Sequence, residues 1–257
     1  MPHRCFITEG CGGLIDERWC TEHYAEVLRR LPPRLAEKDL ERPELLLHRD
    51  KKIDVYFAPL DHVDADVKVL LVGLSPSRTQ LHLALTVVAD GLRAGVGPDE
   101  CLAEVDLTEC YAATTRANLV SMTDGIGLHT ALGIDSCATL FEDGSDLLST
   151  THAISHAVFV RVPGRPGRNY AGTPPLERHP LLSAFATQVL AASARLAPDA
   201  LLVPLGNAAT AATRMAGLDP RRVVEGFPHP SGANGHRLAD FTDRQDAMTA
   251  TVSRWFG

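Results

Sequence analysis

No stretch of this chain reaches the roughly 18 uncharged apolar residues that a membrane-crossing helix needs. The first thirteen residues, MPHRCFITEGCGG, lack the apolar centre of a secretion signal. Both absences predict a cytoplasmic protein with no membrane partner. Cysteine is sparse, six in 257 residues, and without a secretion signal a chain this long does not depend on a disulfide scaffold. Internal repeats are absent. So is any basic excess, since 25 Lys and Arg face 32 Asp and Glu for a net charge of −7. The excess of acid is local. Residues 85–150 hold 11 acidic and 2 basic side chains, leaving 23 basic against 21 acidic elsewhere. The field at a site follows local charge rather than the total, so a nucleic-acid partner stays open.

What is present is ordinary for a folded domain: 45% hydrophobic and 22% charged residues. The length suits one large domain with a small appendage. Residues 1–50 read as a cysteine-rich head with a helix over Glu22–Leu31, stopped by Pro32-Pro33, and a charged helical stretch reaching about His48. A boundary is expected at the charged run Arg49–Lys52, and 51–257 then forms the main domain. There, the apolar run Val67–Val72 is of strand length and carries the branched residues of a buried parallel strand. Thr79–Ala94 places Leu81, Leu85, Val88 and Leu92 on one helical stripe. Further strands are expected at Cys110–Thr114, Ala157–Val162, Ala200–Leu205 and Arg222–Gly226. Helices are expected at Leu181–Leu196, Ala208–Met215 and Asp240–Phe256, and 163–175 reads as a long loop. Strands alternating with helices predict a parallel, doubly wound α/β sheet.

In such folds ligands sit beyond the carboxyl ends of the strands. Two polar turns fall there, Gly73–Ser77 and His229–Asn234. The first has neither G-x-G-x-x-G nor G-K-[ST], so phosphate cradling is unsupported. Its Gly-Leu-Ser-Pro-Ser also fails as a serine nucleophile elbow. The residue after such a serine must donate its N–H to the oxyanion hole, and Pro76 has none.

The pair of turns resembles the uracil-DNA glycosylase superfamily. Gly73-Leu74-Ser75-Pro76-Ser77 is similar to its first motif and His229-Pro230-Ser231-Gly232-Ala233-Asn234 to its second. Thr115–Leu119 resembles the segment that supplies a base-reading Asn, and Ala200–Ala209 the family's strand and small-residue helix. The order holds over roughly residues 60–257. The resemblance implies a three-layer αβα fold with a central, mostly parallel four-stranded sheet, carrying the small cysteine-rich segment outside it. It implies a glycosylase that flips a deaminated or modified base from DNA and hydrolyses the N-glycosidic bond, in repair or in defence against foreign DNA.

The chemistry needs a donor for the departing base anion and access for water. His229 supplies a donor to a base carbonyl. Asn118 pairs with a base edge as donor and acceptor. Ser75 stands where the best uracil enzymes orient the attacking water with Asp or Asn, a departure that leaves the substrate open; Asp124 or His129 is an alternative holder. Gly73, Leu74, Pro76 and Ser77 line the base pocket. Ser231, Asn234, His236 and Arg237 meet DNA, with Asn234–Arg237 at the position of the family's duplex wedge. Arg165 and Arg168 reach phosphates. DNA is then the partner, single- or double-stranded, and the chain acts as a monomer. A non-catalytic binder of a modified base, and a hydrolase of free nucleosides or nucleotides, are the alternatives.

The head offers Cys5-x5-Cys11-x8-Cys20-x2-His23. Three thiolates and an imidazole suit a closed, tetrahedral, structural Zn²⁺ site; the alternative that the resemblance implies, an iron–sulfur cluster on four cysteines, needs a distant fourth thiol, Cys101, Cys110 or Cys137. The catalytic chemistry itself calls for no cofactor.

Overall fold

The computed structural model describes residues 14–16, 18–60, 62–105, 110–111, 113–142 and 146–257. The apolar run predicted as the first core strand forms β3. In chain order the strands are β1 (Leu46–Arg49), β2 (Ile53–Tyr56), β3 (Val69–Gly73), β4 (Leu148–His152), β5 (Ala157–Val162), β6 (Arg165–Asn169) and β7 (Leu201–Pro204). The longer helices are α1 (Thr21–Arg29), α2 (Arg78–Arg93), α3 (Pro98–Ala103), α4 (Ala113–Gly125), α5 (Leu128–Leu132), α6 (Pro180–Ala184), α7 (Leu190–Leu196), α8 (Asn207–Met215) and α9 (Arg237–Phe256). Among the described residues no helix is long and apolar enough to cross a membrane.

The fold is mixed α/β, built on two sheets. One is parallel, in the order β4-β3-β7, and the other has the order β1-β2-β5-β6 with antiparallel pairing throughout. β3 lies at the centre of the parallel sheet, and its side chains alternate between two cores. Leu70 and Val72 pack with Leu182 and Val189 on one face. Val69 and Leu71 pack with Leu119, Met122, Met248 and Val252 on the other. Continuous apolar sequence is what burial on both faces demands. α2 starts at Ser77, whose hydroxyl accepts from Gln80 N while Gln80 Oε1 accepts from Ser77 N, a reciprocal cap. Its predicted stripe, Leu81, Leu85, Val88 and Leu92, is buried.

Several expectations are corrected. The parallel sheet has three strands. The expected fourth, Arg222–Gly226, contributes a single parallel bridge, Leu202 to Val223. After it Glu225 N bonds Val223 O, and Gly226 takes a positive φ of 80° that turns the chain away. Cys110–Thr114 is no strand, because α4 begins at Ala113; the strand is β4, further along. β5 forms as expected but lies antiparallel to β2, outside the parallel sheet. The loop expected over 163–175 contains β6, paired with β5. The helix expected at Leu181–Leu196 forms as α6 and α7 joined by a π turn at Phe185–Val189. The charged helical stretch ends earlier than expected, as 3₁₀ turns at Glu37–Glu41 and Pro43–Leu45 followed by β1. The boundary expected at 50/51 falls in the β1–β2 turn, and Ala25, Leu28 and Leu31 share one core with Leu81, Leu85 and Val88 of α2.

Candidate functional site

The carboxyl edge of the parallel sheet gathers both polar turns. Gly73 ends β3 in register with His152, which ends β4. Gly73 O accepts from Ala153 N at 2.8 Å and Leu74 O from Ile154 N at 3.0 Å, so the first turn runs along segment 153–158. Ser75 Oγ donates to His156 O at 3.2 Å and accepts from Val158 N at 3.0 Å. The hydroxyl expected to hold water is therefore engaged by the protein on both its donor and acceptor sides. Pro76 is buried, and Ser77 is the cap of α2 rather than a pocket wall.

Glycine at 73 has a steric cause. A Cβ there would lie 2.5 Å from His152 Cδ2 and 2.8 Å from its Nε2. The imidazole occupies the space of the missing side chain. His152 is buried, and among the described residues neither ring nitrogen has a hydrogen-bond partner. Burial pushes its pKa down to about 4, so the ring is neutral at pH 7. His156, four residues further along, is boxed by Trp19, Phe57 and Phe185 and accepts from Ala58 N at 3.3 Å. Burial likewise brings it to about 4. Neither histidine stood out in the sequence. The Ser/Thr-rich β4 gave no apolar run to mark the strand that ends at His152.

The second turn reaches the same edge through β7. Leu205 N bonds Val72 O at 2.9 Å, and Gly206 N bonds Phe227 O at 3.0 Å. Gly206 has φ 96°, and a Cβ on it would meet His229 Cβ at 3.2 Å. Glycine thus serves both a left-handed backbone and the close seating of His229. Ser231 N donates to His229 Nδ1 at 3.2 Å. That bond makes Nδ1 the acceptor, so the proton of the neutral ring sits on Nε2, which has no partner among the described residues. The ring is open to solvent yet has protein closely around it. The resulting desolvation lowers its pKa below the usual imidazole range.

The rest of this loop is tied to itself. Asn234 Nδ2 donates to His229 O at 3.2 Å, Ala233 N to Ser231 Oγ at 3.2 Å, and Arg237 Nη1 to Ser231 O at 3.0 Å. Asn118, on α4, donates from Nδ2 to Pro230 O at 2.8 Å. It braces the loop, where a base reader needs its amide free. His236 is exposed just ahead of α9. Leu238, in the first turn of α9, is 68% exposed, the most exposed large apolar side chain described.

Asp124 is tied to the segment that follows α5. Its oxygens accept from Ser136 Oγ and Cys137 N, both at 2.7 Å. His129 packs beside it, 3.5 Å from Oδ1. Arg165 and Arg168 are exposed on β6. The same hairpin is tied to the first turn, since Arg78 N donates to Asn169 Oδ1 and Arg78 Nη2 to Gly167 O. Beside it a recess of about 800 Å³ is lined by Arg49, Lys51, Arg161 and Arg165 with Glu41 and Asp54.

In the cysteine head, Cys20 Sγ and His23 Nδ1 lie in hydrogen-bond contact at 3.1 Å at the start of α1. Cys5 and Cys11 lie outside the described residues.

A relative from Bacillus subtilis (strain 168), the uncharacterized protein YoxB, is 31% identical over 246 residues, covering 93% of this chain and 94% of its own length. No protein-family model and no solved structure matches the chain.

Proposed function

The chain belongs to the same family as YoxB of Bacillus subtilis; from the geometry of its two turns we propose that it is a DNA glycosylase hydrolysing the N-glycosidic bond of a deaminated or modified base. The observation that carries this reading is His229. Ser231 N fixes its tautomer and desolvation keeps it neutral, so Nε2–H points out as an unpartnered donor at the carboxyl edge of a parallel sheet. A neutral donor aimed at charge that develops only in the transition state is worth about 2.7–4 kcal/mol. The departing base gains that charge on a carbonyl oxygen as the bond to the sugar breaks.

The other parts follow from that placement. On this reading a flipped base docks at the carboxyl edge beside the Gly73–Ser77 turn and the His229 loop, with the neutral His152 ring, packed against Gly73, as the polar group offered in place of the engaged Ser75. Asn118 braces the Pro230 carbonyl and so holds His229 in line. Leu238 serves as the apolar wedge that enters the base stack, with His236 and Arg237 beside it. Arg165 and Arg168 contact phosphates. We read the Leu202–Val223 bridge as the vestige of a fourth parallel strand, giving the three-layer αβα arrangement implied by the resemblance to uracil-DNA glycosylases. We further assign a structural zinc to Cys5, Cys11, Cys20 and His23; it would tie the head and take no part in the chemistry. The protein acts as a cytoplasmic monomer on DNA.

Ser75 favours a second reading. With its hydroxyl bound to His156 O and Val158 N, the first turn holds no obvious water-orienting group, as in a protein that binds a modified base without cleaving it. Oligonucleotides carrying single deaminated or modified bases, incubated with the protein and then treated with alkali, separate the two. A glycosylase leaves abasic sites that break. A binder retards the same oligonucleotides and leaves them whole. Release from a free deoxynucleoside at the same rate as from an oligonucleotide would instead favour a nucleoside hydrolase.

A further inference from the structure

A second group of imidazoles lies apart from the two turns. His48 is on β1, Asp50 is in the turn to β2, and His179 is the N-cap of α6. One donor atom from each lies within 4.8 Å of the other two. His179 Nε2 is 2.8 Å from Asp50 Oδ2, and His48 Nε2 is 3.9 Å from the same oxygen. Asp50 is oriented for this. Its Oδ1 accepts from Lys52 N at 2.6 Å and Ile53 N at 2.8 Å, which leaves Oδ2 facing the rings. His48 Nε2 is buried and makes no hydrogen bond among the described residues. A buried ring nitrogen left unpaired is unfavourable, and each such atom calls for an explanation.

We propose that His48, Asp50 and His179 bind a divalent transition-metal ion, with zinc the best match. Two imidazoles and one carboxylate are ligands that zinc accepts at about 2.0–2.2 Å. At those lengths tetrahedral donors stand about 3.3 Å apart, and the separations here, from 2.8 Å to no more than 4.8 Å, bracket that value. Metal entry gives the orphaned His48 nitrogen a partner and replaces the His179–Asp50 hydrogen bond with coordination. His179 Nδ1 now accepts from Leu182 N at 3.5 Å, so the ring proton sits on Nε2. On binding, that proton moves by way of solvent to Nδ1, the Nε2 lone pair goes to the metal, and only this long cap bond is lost. Arg49, which lies between His48 and Asp50 in the chain, is engaged by Asp54 at 2.8 Å. Arg161 donates to the Asp50 carbonyl, away from the carboxylate. Three protein ligands leave one position for water, and the ion would clip the β1–β2 turn to the start of α6. This site shares no ligand with the cysteine head.

The test uses the full chain, stripped of metal, carrying Cys20→Ser to disable the head, and titrated with Co²⁺ and then Zn²⁺. One equivalent of Co²⁺ should give visible ligand-field bands with no thiolate charge-transfer band, and Zn²⁺ should displace it. In the same background His48→Ala should weaken binding by at least about tenfold, the minimum seen for loss of even an outer-shell partner. His48 Nε2 makes no hydrogen bond, so this variant should match the parent in circular dichroism without metal. His179→Gln provides a second ligand deletion in case it does not. Absence of Co²⁺ binding in the Cys20→Ser protein, a spectrum dominated by thiolate, or undiminished affinity in both ligand variants would overturn the proposal.

Discussion

In the turn after β3 the Ser75 hydroxyl donates and accepts within the protein; in the loop after Phe227 the His229 ring uses one nitrogen inside and leaves the other outside. Both turns sit at the carboxyl edge of one sheet and both looked functional in the sequence. The difference lies in hydrogen-bond bookkeeping. A serine hydroxyl whose donor and acceptor are satisfied by buried backbone holds the fold. An imidazole whose Nδ1 is fixed by a backbone N–H has its remaining proton aimed and available. On the proposed function the first turn is scaffold, with His152 as its chemical face, and the second carries the donor.

The largest expected effect separates the two turns directly. His229→Ala should lower base release ~100- to 1000-fold, while DNA binding measured by gel retardation stays within about threefold. A loss under tenfold would reduce His229 to a loop residue.

Next comes acid stability. His152 and His156 are neutral in the fold, with pKa near 4 against 6.5 in the unfolded chain. Their contribution is fully present above pH 6.5. It is lost as pH falls, because the unfolded chain takes up protons first, until the folded rings also protonate near 4. Each accounts for about 3 kcal/mol across that window. Urea unfolding at stepped pH should show the decline, and His156→Gln should flatten it. A profile unchanged from neutral pH down to the carboxylate range would contradict the burial of these rings.

Ser75→Ala should cost about 1–3 kcal/mol of stability, since it strands the buried Val158 N–H. The rate per folded molecule should fall less than about tenfold. A larger rate loss at unchanged stability would return Ser75 to the chemistry.

Leu238→Ala should slow release from paired duplex several-fold and from single strands by less than about twofold, since a base already unpaired needs little help to flip. The smallest effect is at α4. Asn118→Asp removes a hydrogen bond worth about 1 kcal/mol, so release of every base should fall by a similar, roughly fivefold factor. A changed preference among bases would instead make Asn118 the reader.

The legible parts of the fold were those where burial imposes a continuous apolar run. β3, β7 and the stripe of α2 announce themselves, as does α9. β4 does not. Its sequence, Leu-Ser-Thr-Thr-His, belongs to a strand at the edge of the parallel sheet, where polar residues are tolerated. With β4 hidden, the second strand was expected at Cys110–Thr114, where α4 begins. The strand end is His152. β6 was equally hidden, because Gly164, Pro166 and Gly167 read as loop, yet an edge strand accepts proline where no ladder bond is needed. Both turns at the carboxyl edge were visible as sequence. Which of them had free hydrogen-bonding capacity was not, since that depends on His156 and Val158, more than 80 residues from Ser75 in the chain.

The central claim is that neutral His229 donates to a departing base, and the pH dependence of single-turnover release from a single-stranded oligonucleotide tests it most directly. The rate should be flat from about pH 8 to about pH 6.5 and decline only below that, as the lowered pKa of His229 is crossed, with circular dichroism confirming a folded protein at each point. A rate that rises as the solution is acidified through this range would mean the imidazolium is the active form. That result, or no release from any modified base, would contradict the account.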